Sequence, residues 1–146
     1  MRYPHTHRGG IQRIVFSALM VIAANCKDSL AGQPDTVHTI ASLNSATFVK
    51  VLTNGKCSLI EFGGRRCIPC RQMQPILAEL NLAFAASMNI FNVYVDEERD
   101  LARNYRISLI PTQIVFDRTG KEISRHVGYW EKEKLTAELR RLQIAK

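Results

Sequence analysis

The order of apolar patterns along this chain predicts an α/β fold with a central mixed β-sheet and helices on both faces. Three observations carry that reading. Strand-like and helix-like stretches alternate through most of the chain. The run Cys57-Ser58-Leu59-Ile60-Glu61-Phe62 is apolar enough for a strand buried on both faces. A turn sequence, Asp117-Arg118-Thr119-Gly120, then folds one late strand back on another. Crossover units followed by a hairpin give a sheet of mixed direction.

The elements follow in order. Gly32-Gln33-Pro34-Asp35 reads as a flexible lead-in. Thr36 to Ile40 is β-branched and alternating, as a short strand would be. Leu43 to Leu52 is helix-like, with Asn44 or Ser45 as N-cap and Asn54-Gly55 as its stop. The buried strand 57–62 ends at Gly63-Gly64. A helix from about Cys67 to Ala86 offers Ile76, Leu77, Leu80, Leu82 and Phe84 to the core, and Pro75 inside it should kink it. Asn89 to Val95 is a second buried strand, and Glu97 to Tyr105 a short polar helix. Thr112 to Phe116 is a third strand, and Lys121 to Val127 returns antiparallel to it. Glu131 to Ile144 closes the chain as an amphipathic helix with Leu135, Leu139 and Leu142 on one side.

The 146 residues suffice for one domain with a real core, but the first thirty do not look like part of it. Arg2, Arg8 and Arg13 precede the apolar run Ile14 to Ala24, and small residues follow at Ser29 and Ala31. Basic n-region, apolar h-region and small residues predict a signal peptide over 1–31, cleaved after Ala31, with the folded domain at 32–146. The run is short for a membrane span, which leaves an uncleaved N-terminal anchor as the alternative. Cys26 raises lipidation as a third arrangement, although Asn25 before it is a poor match to a lipidation signal. Every version exports the domain, in a bacterium to the periplasm or the outer face of the membrane, where disulfides persist.

The formal net charge is +7. Arg2, Arg8, Arg13 and Lys27 against Asp28 put +3 of it in residues 1–31 and leave +4 for the rest. Basic and acidic residues are interspersed, with no basic run and no aromatic ladder, which argues against nucleic acid as a partner.

Cys67-Ile68-Pro69-Cys70 carries the chemistry. It lies between a strand and a helix, so its first sulfur sits at a helix N-terminus, where unpaired N–H groups and the helix dipole favour a thiolate. A separation of two residues lets the second thiol reach the first, which is what thiol–disulfide exchange needs. Half of a zinc site and an inert disulfide are the other readings. Zinc usually takes four Cys or His ligands in paired spacings, and Cys57 and the four histidines supply no second pair; no metal is expected.

From Leu43 to Ile144 the sequence resembles the thioredoxin superfamily. Four features in order carry the resemblance: Glu61-Phe62 ahead of Cys67-Ile68-Pro69-Cys70; Pro75, five residues after the second cysteine; Tyr105-Arg106-Ile107-Ser108-Leu109-Ile110-Pro111-Thr112; and Gly128 after the hairpin. The resemblance implies the thioredoxin fold and a protein-disulfide oxidoreductase that maintains cell redox homeostasis; together with the N-terminal pattern, the chain looks like an exported member. It implies that Pro111 is cis and lies beside the cysteines, and that Ile110 offers backbone hydrogen bonds to an extended substrate. Ile68, Pro69 and Gly128 complete the substrate-facing surface. Glu61 takes the place of a buried acid that assists proton transfer at the second cysteine. The sequence also departs from the family. Arg66 replaces the usual tryptophan before the first cysteine, Asn92 replaces a partner lysine near the acid, and Ile68 replaces a glycine.

In that mechanism Cys67 attacks a substrate disulfide and Cys70 resolves the mixed disulfide. Arg66 and Arg71 tune the thiolate electrostatically. The redox-active Cys67–Cys70 pair needs no cofactor. A reductase is favoured over an oxidase, fed by a membrane electron donor and acting on protein dithiols and disulfides as a monomer. Contact with the membrane is expected only if the N-terminal segment stays uncleaved or Cys26 is lipidated. The alternative is a copper-delivery or peptide-binding module on the same fold; Met73 and His126 are the residues nearest to a copper ligand set, one read as core and the other as strand surface.

Overall fold

The computed structural model describes residues 39–144. The expected signal peptide, Cys26 and residues 36–38 of the first expected strand lie outside them. The elements are α1 (Ser45–Leu52), β1 (Cys57–Gly63), α2 (Ile68–Phe84), β2 (Met88–Tyr94), α3 (Arg99–Asn104), β3 (Thr112–Phe116), β4 (Glu122–Val127) and α4 (Lys132–Arg141). The sheet has the order β2-β1-β3-β4. β1 pairs parallel with β2 and antiparallel with β3, and β3 pairs antiparallel with β4, so the sheet is mixed as the sequence implied. The expected strand over 36–40 is not seen in its described part. Thr39 and Ile40 are outside regular structure, and a single bridge joins Ser42 to Asn92.

Strand alternation sorts the core onto two faces. Cys57 and Leu59 of β1, Ile90 of β2 and Val115 of β3 face α2 and α4, where they meet Met73, Leu77, Leu80, Leu135 and Leu139. Ile60 and Phe62, Val93, and Ile114 and Phe116 face the other way, toward Phe48 of α1 and Leu101 of α3. Rings dominate this second face. Phe48 lies 5.1 Å from Tyr105 and 6.2 Å from Phe62, centroid to centroid.

Local signals set the element ends. Asn44 caps α1: its Oδ1 accepts from the Thr47 N–H at 3.0 Å, and the Thr47 hydroxyl oxygen accepts from the Asn44 N–H at 3.3 Å. Asp117 organises the β3–β4 turn by accepting from the N–H groups of Thr119 and Lys121 at 2.8 and 3.0 Å. One core assignment fails. Leu82 is 78% exposed, because its position on α2 points away from the stripe formed by Met73, Leu77 and Leu80.

Candidate active site

β1 and α2 build the site. β1 is buried along its whole length and runs out at Gly63. Cys67 is the N-cap of α2, with Ile68 and Pro69 opening the first turn. Pro69 loses nothing there, since an N–H in the first turn has no intrahelical acceptor. The Cys70 N–H donates to Cys67 Sγ at 3.2 Å, and the Arg71 N–H donates to the Cys67 carbonyl at 3.1 Å. A sulfur that caps a helix and accepts a backbone N–H is stabilised as a thiolate once the pair is reduced. In the structure Cys67 and Cys70 are joined by a disulfide, with Cα atoms 5.2 Å apart.

The two sulfurs are unequally placed. Cys67 is partly exposed, whereas Cys70 is 3% exposed on the inner side of the turn. Cys67 lies in a cleft with Gly64, Arg66, Asp96 and Ile110. The Ile110–Pro111 bond is cis. A Cβ added to Gly64 would lie 3.1 Å from Ile110 Cδ1 and 3.7 Å from Cys67 Cβ, so the bare glycine lets this loop close against the cysteine turn. The Gly128 N–H donates to the Pro111 carbonyl at 2.8 Å, which ties the end of the hairpin to the same loop. Ile68, 63% exposed, and Leu109, 65% exposed, leave apolar surface open to solvent around the pair.

Glu61 sits behind the pair, fully buried on β1. Burial pushes its carboxyl up to about 8. Its Oε2 accepts from Gln74 Nε2 at 2.8 Å. Gly63 is flanked by both the acid and the second cysteine. A Cβ there would be 3.4 Å from Glu61 Oε1, 3.4 Å from Cys70 Cβ and 3.3 Å from Asn92 Oδ1. A cavity of about 390 Å³ opens alongside, lined by Cys70, Arg71, Gln74, Asn92, Arg65 and Tyr94.

The cations divide. Arg65 pairs with Glu97 at 2.8 Å and lies over the Tyr94 ring at 3.8 Å. Arg66 and Arg71 are exposed on either side of the cysteines, and neither forms an ion pair among the described residues. Cys57 is a buried free thiol away from this constellation, in the core under α2 and α4.

Met73 is fully buried, and its sulfur accepts from the Trp130 N–H at 3.2 Å, as befits a core residue. His126 is not the plain surface residue expected. It is half-buried and stacks on Trp130, with ring centroids 4.3 Å apart. Among the described residues no cluster of three or more His, Cys, Asp or Glu side chains could hold a metal ion.

Sequence reasoning missed Gln74 and Gln113. Both were legible in principle. Gln74 lies one helical turn after Cys70 and on its face; Gln113 alternates with Val115 on a strand buried on both sides.

The sequence model of the thioredoxin family matches residues 39–141. The chain is 34% identical over 98 residues to thioredoxin from Alicyclobacillus acidocaldarius subsp. acidocaldarius, covering 67% of this chain and 92% of that protein. It is 32% identical over 101 residues to a Mycobacterium tuberculosis thioredoxin, covering 69% of this chain and 86% of the relative. In three dimensions it is similar to Plasmodium falciparum thioredoxin, with a TM-score of 0.64 at 19% identity over 70% of this chain and 98% of the other.

Proposed function

The chain belongs to the thioredoxin family and is a thiol–disulfide oxidoreductase, and from this premise we propose that it works as an exported reductant of protein disulfides. One observation carries the chemistry: Cys67 caps α2 at the surface, while Cys70 lies buried beside Glu61.

The roles follow from that asymmetry. The Cys67 thiolate attacks a substrate disulfide; one substrate sulfur leaves with the electron pair and the other stays bonded to Cys67. The Cys70 thiol then gives its proton to the Glu61 carboxylate, and its sulfur attacks Cys67. The second substrate sulfur leaves as a thiolate, takes a proton from solvent, and Cys67–Cys70 is left as the disulfide. Two electrons have passed to the substrate. Burial holds the Glu61 carboxyl near neutrality, where a carboxyl group can both take and return a proton. Ile110, Pro111, Ile68, Pro69 and Gly128 form the surface on which an extended substrate chain would lie, adding its backbone beside Ile110. Arg66 and Arg71 favour the thiolate by their charge.

The pattern of residues 1–31 supports export, and an oxidising compartment gives a disulfide reductant its substrates. The compact set of elements, with no domain inserted among the described residues, supports reduction over oxidation. A membrane electron donor would recharge the pair. Trapping tests this reading. Cys70→Ser should accumulate mixed disulfides with exported proteins on Cys67, and Cys67→Ser/Cys70→Ser should accumulate none. The reduced protein should also cleave insulin disulfides. A protein that instead only inserts disulfides into reduced substrates would overturn the direction, and one that traps nothing would overturn the substrate class.

A further inference from the structure

Three amide side chains surround the Glu61 carboxyl. Asn92 on β2 and Gln113 on β3 are its direct cross-strand partners, so all three side chains share the sheet face under α2. Gln74 comes down from α2 onto the same spot. Asn92, Gln113 and Gln74 are 1%, 0% and 7% exposed. Six of the side-chain polar atoms in this group of four have no partner among the described residues: Glu61 Oε1, Gln74 Oε1, and both polar atoms of Asn92 and of Gln113. Buried amides are costly, and an apolar residue would serve packing better at each place. Only one contact within the group is a hydrogen bond to the acid, that from Gln74 Nε2 to Glu61 Oε2.

We propose that Gln74 is a positioning residue for the exchange reaction: by tying down one carboxyl oxygen of Glu61 it aims the other at Cys70. This rests on the reading that Glu61 serves Cys70. The last torsion of a Glu side chain is broad and roughly two-fold, so packing alone holds the carboxyl plane weakly. A donor on Oε2 fixes it. The remaining oxygen, Oε1, and Cys70 Cβ then each lie 3.4 Å from the place a Cβ on Gly63 would take, so Oε1 and the second cysteine flank the same bare glycine. Cys70 and Gln74 are four residues apart on one helix, so the thiol and the tether move together.

The tether also bears on protonation. An N–H donated to a carboxylate favours the ionised form and works against the upward push of burial. The charged and titratable groups around the acid are Cys70 and Arg71 on α2, Arg65 before α2, Tyr94 on β2 and, beyond Gln113, His126 on β4. Arg65 is committed to Glu97, and none of these groups donates to Glu61. In the step concerned the Cys70 proton goes to the Glu61 carboxylate, the Cys70–Cys67 bond forms, the bond from Cys67 to the substrate breaks, and the substrate leaves as a thiolate.

Gln74→Met tests the proposal, since it keeps the length of the side chain and removes the donor. In the reduced variant the Glu61 carboxyl, followed by carbon NMR, should titrate about one unit higher than in the parent. Release of substrate from the Cys67 mixed disulfide should slow about tenfold at pH 7 and recover toward the parent rate at higher pH, because about a tenth as much carboxylate is present at pH 7. Attack by Cys67 should keep its rate. Ala78→Gly, one turn further along the same helix, should lower stability without moving either pH midpoint. If Gln74→Met lowers stability as Ala78→Gly does and leaves both midpoints in place, the proposal is overturned and Gln74 is packing. Glu61→Gln in the same assay separates the levels. If it slows release while Gln74→Met does not, the proposal alone falls; if it leaves release unchanged, the role of Glu61 falls and the proposal with it.

Discussion

Glu61 is where burial and chemistry conflict most directly. Its carboxyl is raised from 4.5 to about 8, and desolvation is the cause. A raised folded value means that the folded protein keeps a proton that the unfolded chain releases. Stability is therefore full below pH 4.5, falls as pH rises from there to about 8, and levels off above. At one pKa unit per ~1.4 kcal/mol, the loss across that window is of order 4–5 kcal/mol. Glu61→Gln cannot ionise, so it should flatten this dependence and be more stable than the parent at pH 8 by several kcal/mol, with little difference at pH 4. Denaturant unfolding of the oxidised protein at the two pH values checks this; equal pH dependence in parent and variant would place the acid in contact with water. The two cysteines give a second expectation. The reduced protein should be alkylated first at Cys67, because Cys67 is partly exposed and caps the helix whereas Cys70 and Cys57 are buried. Peptide mapping of the first label settles the order. Glu61 was legible through the family resemblance, which implies a buried acid at that place ahead of the cysteines. Gln74 did not, because one polar residue on a helix reads as solvent-facing until the sheet beneath it is known.

Elements were legible wherever pattern and punctuation agreed. β3 has the bounds expected, Thr112–Phe116, and the turn after it is organised by the Asp117 side chain. Pro75 lies within α2 as expected. Ends moved by a residue or two where backbone geometry decided them: α1 begins at Ser45 because Asn44 takes the cap, and α2 begins at Ile68 because Cys67 does. Leu82 misled because leucine spacing alone cannot say which of two stripes on a long helix meets the sheet. Two glycines show what the sequence could not reveal. Gly55 and Gly120 have φ of +82° and +81°, and both end or turn an element. A side chain on Gly55 would meet nothing within 4 Å, whereas one on Gly120 would lie 3.1 Å from the Leu52 carbonyl oxygen at the end of α1. Left-handed backbone costs an alanine ~1–2 kcal/mol at either place. Gly120→Ala should lose about 1 kcal/mol or more beyond that, since the atom it meets is backbone and moves only with the helix. Denaturant midpoints of the two variants check the order, and equal losses would show that the hairpin shifts freely past α1.

At the scale of the whole molecule, the sheet separates two tasks. The face under α1 and α3 is closed by the rings of Phe48, Phe62, Tyr105 and Phe116. The face under α2 and α4 is apolar toward Leu135 and Leu139 but turns polar at the row Asn92, Glu61 and Gln113, beside the cysteines. The fold and the cysteine pair could be read from the chain because each leaves a mark at short range, and the acid followed from the family resemblance. The row across the sheet could not, since it depends on the register of three strands. The proposed export concerns the full chain, and it makes a prediction of its own. Residues 1–31 hold +3 of the +7 net charge, with the basic residues Arg2, Arg8 and Arg13 ahead of the apolar run and the small residue Ala31 behind it. On the proposed reading a secretion machinery would recognise that order, independently of the folded domain. Fused to a reporter enzyme that needs disulfides to become active, the full chain should give activity outside the cytoplasm in a bacterial host. Removal of 1–31 should abolish that activity while leaving insulin reduction by the purified domain intact. Mass measurement of the exported protein then separates the three arrangements. A new N-terminus at Gly32 marks cleavage after Ala31; an intact N-terminus in the membrane fraction marks an anchor. A Cys26 N-terminus carrying lipid marks a lipoprotein, and Cys26→Ser should abolish that form alone. A fusion that stays inactive with the full chain would withdraw export, and with it the membrane electron donor, while leaving the exchange chemistry of Cys67 and Cys70 where it stands.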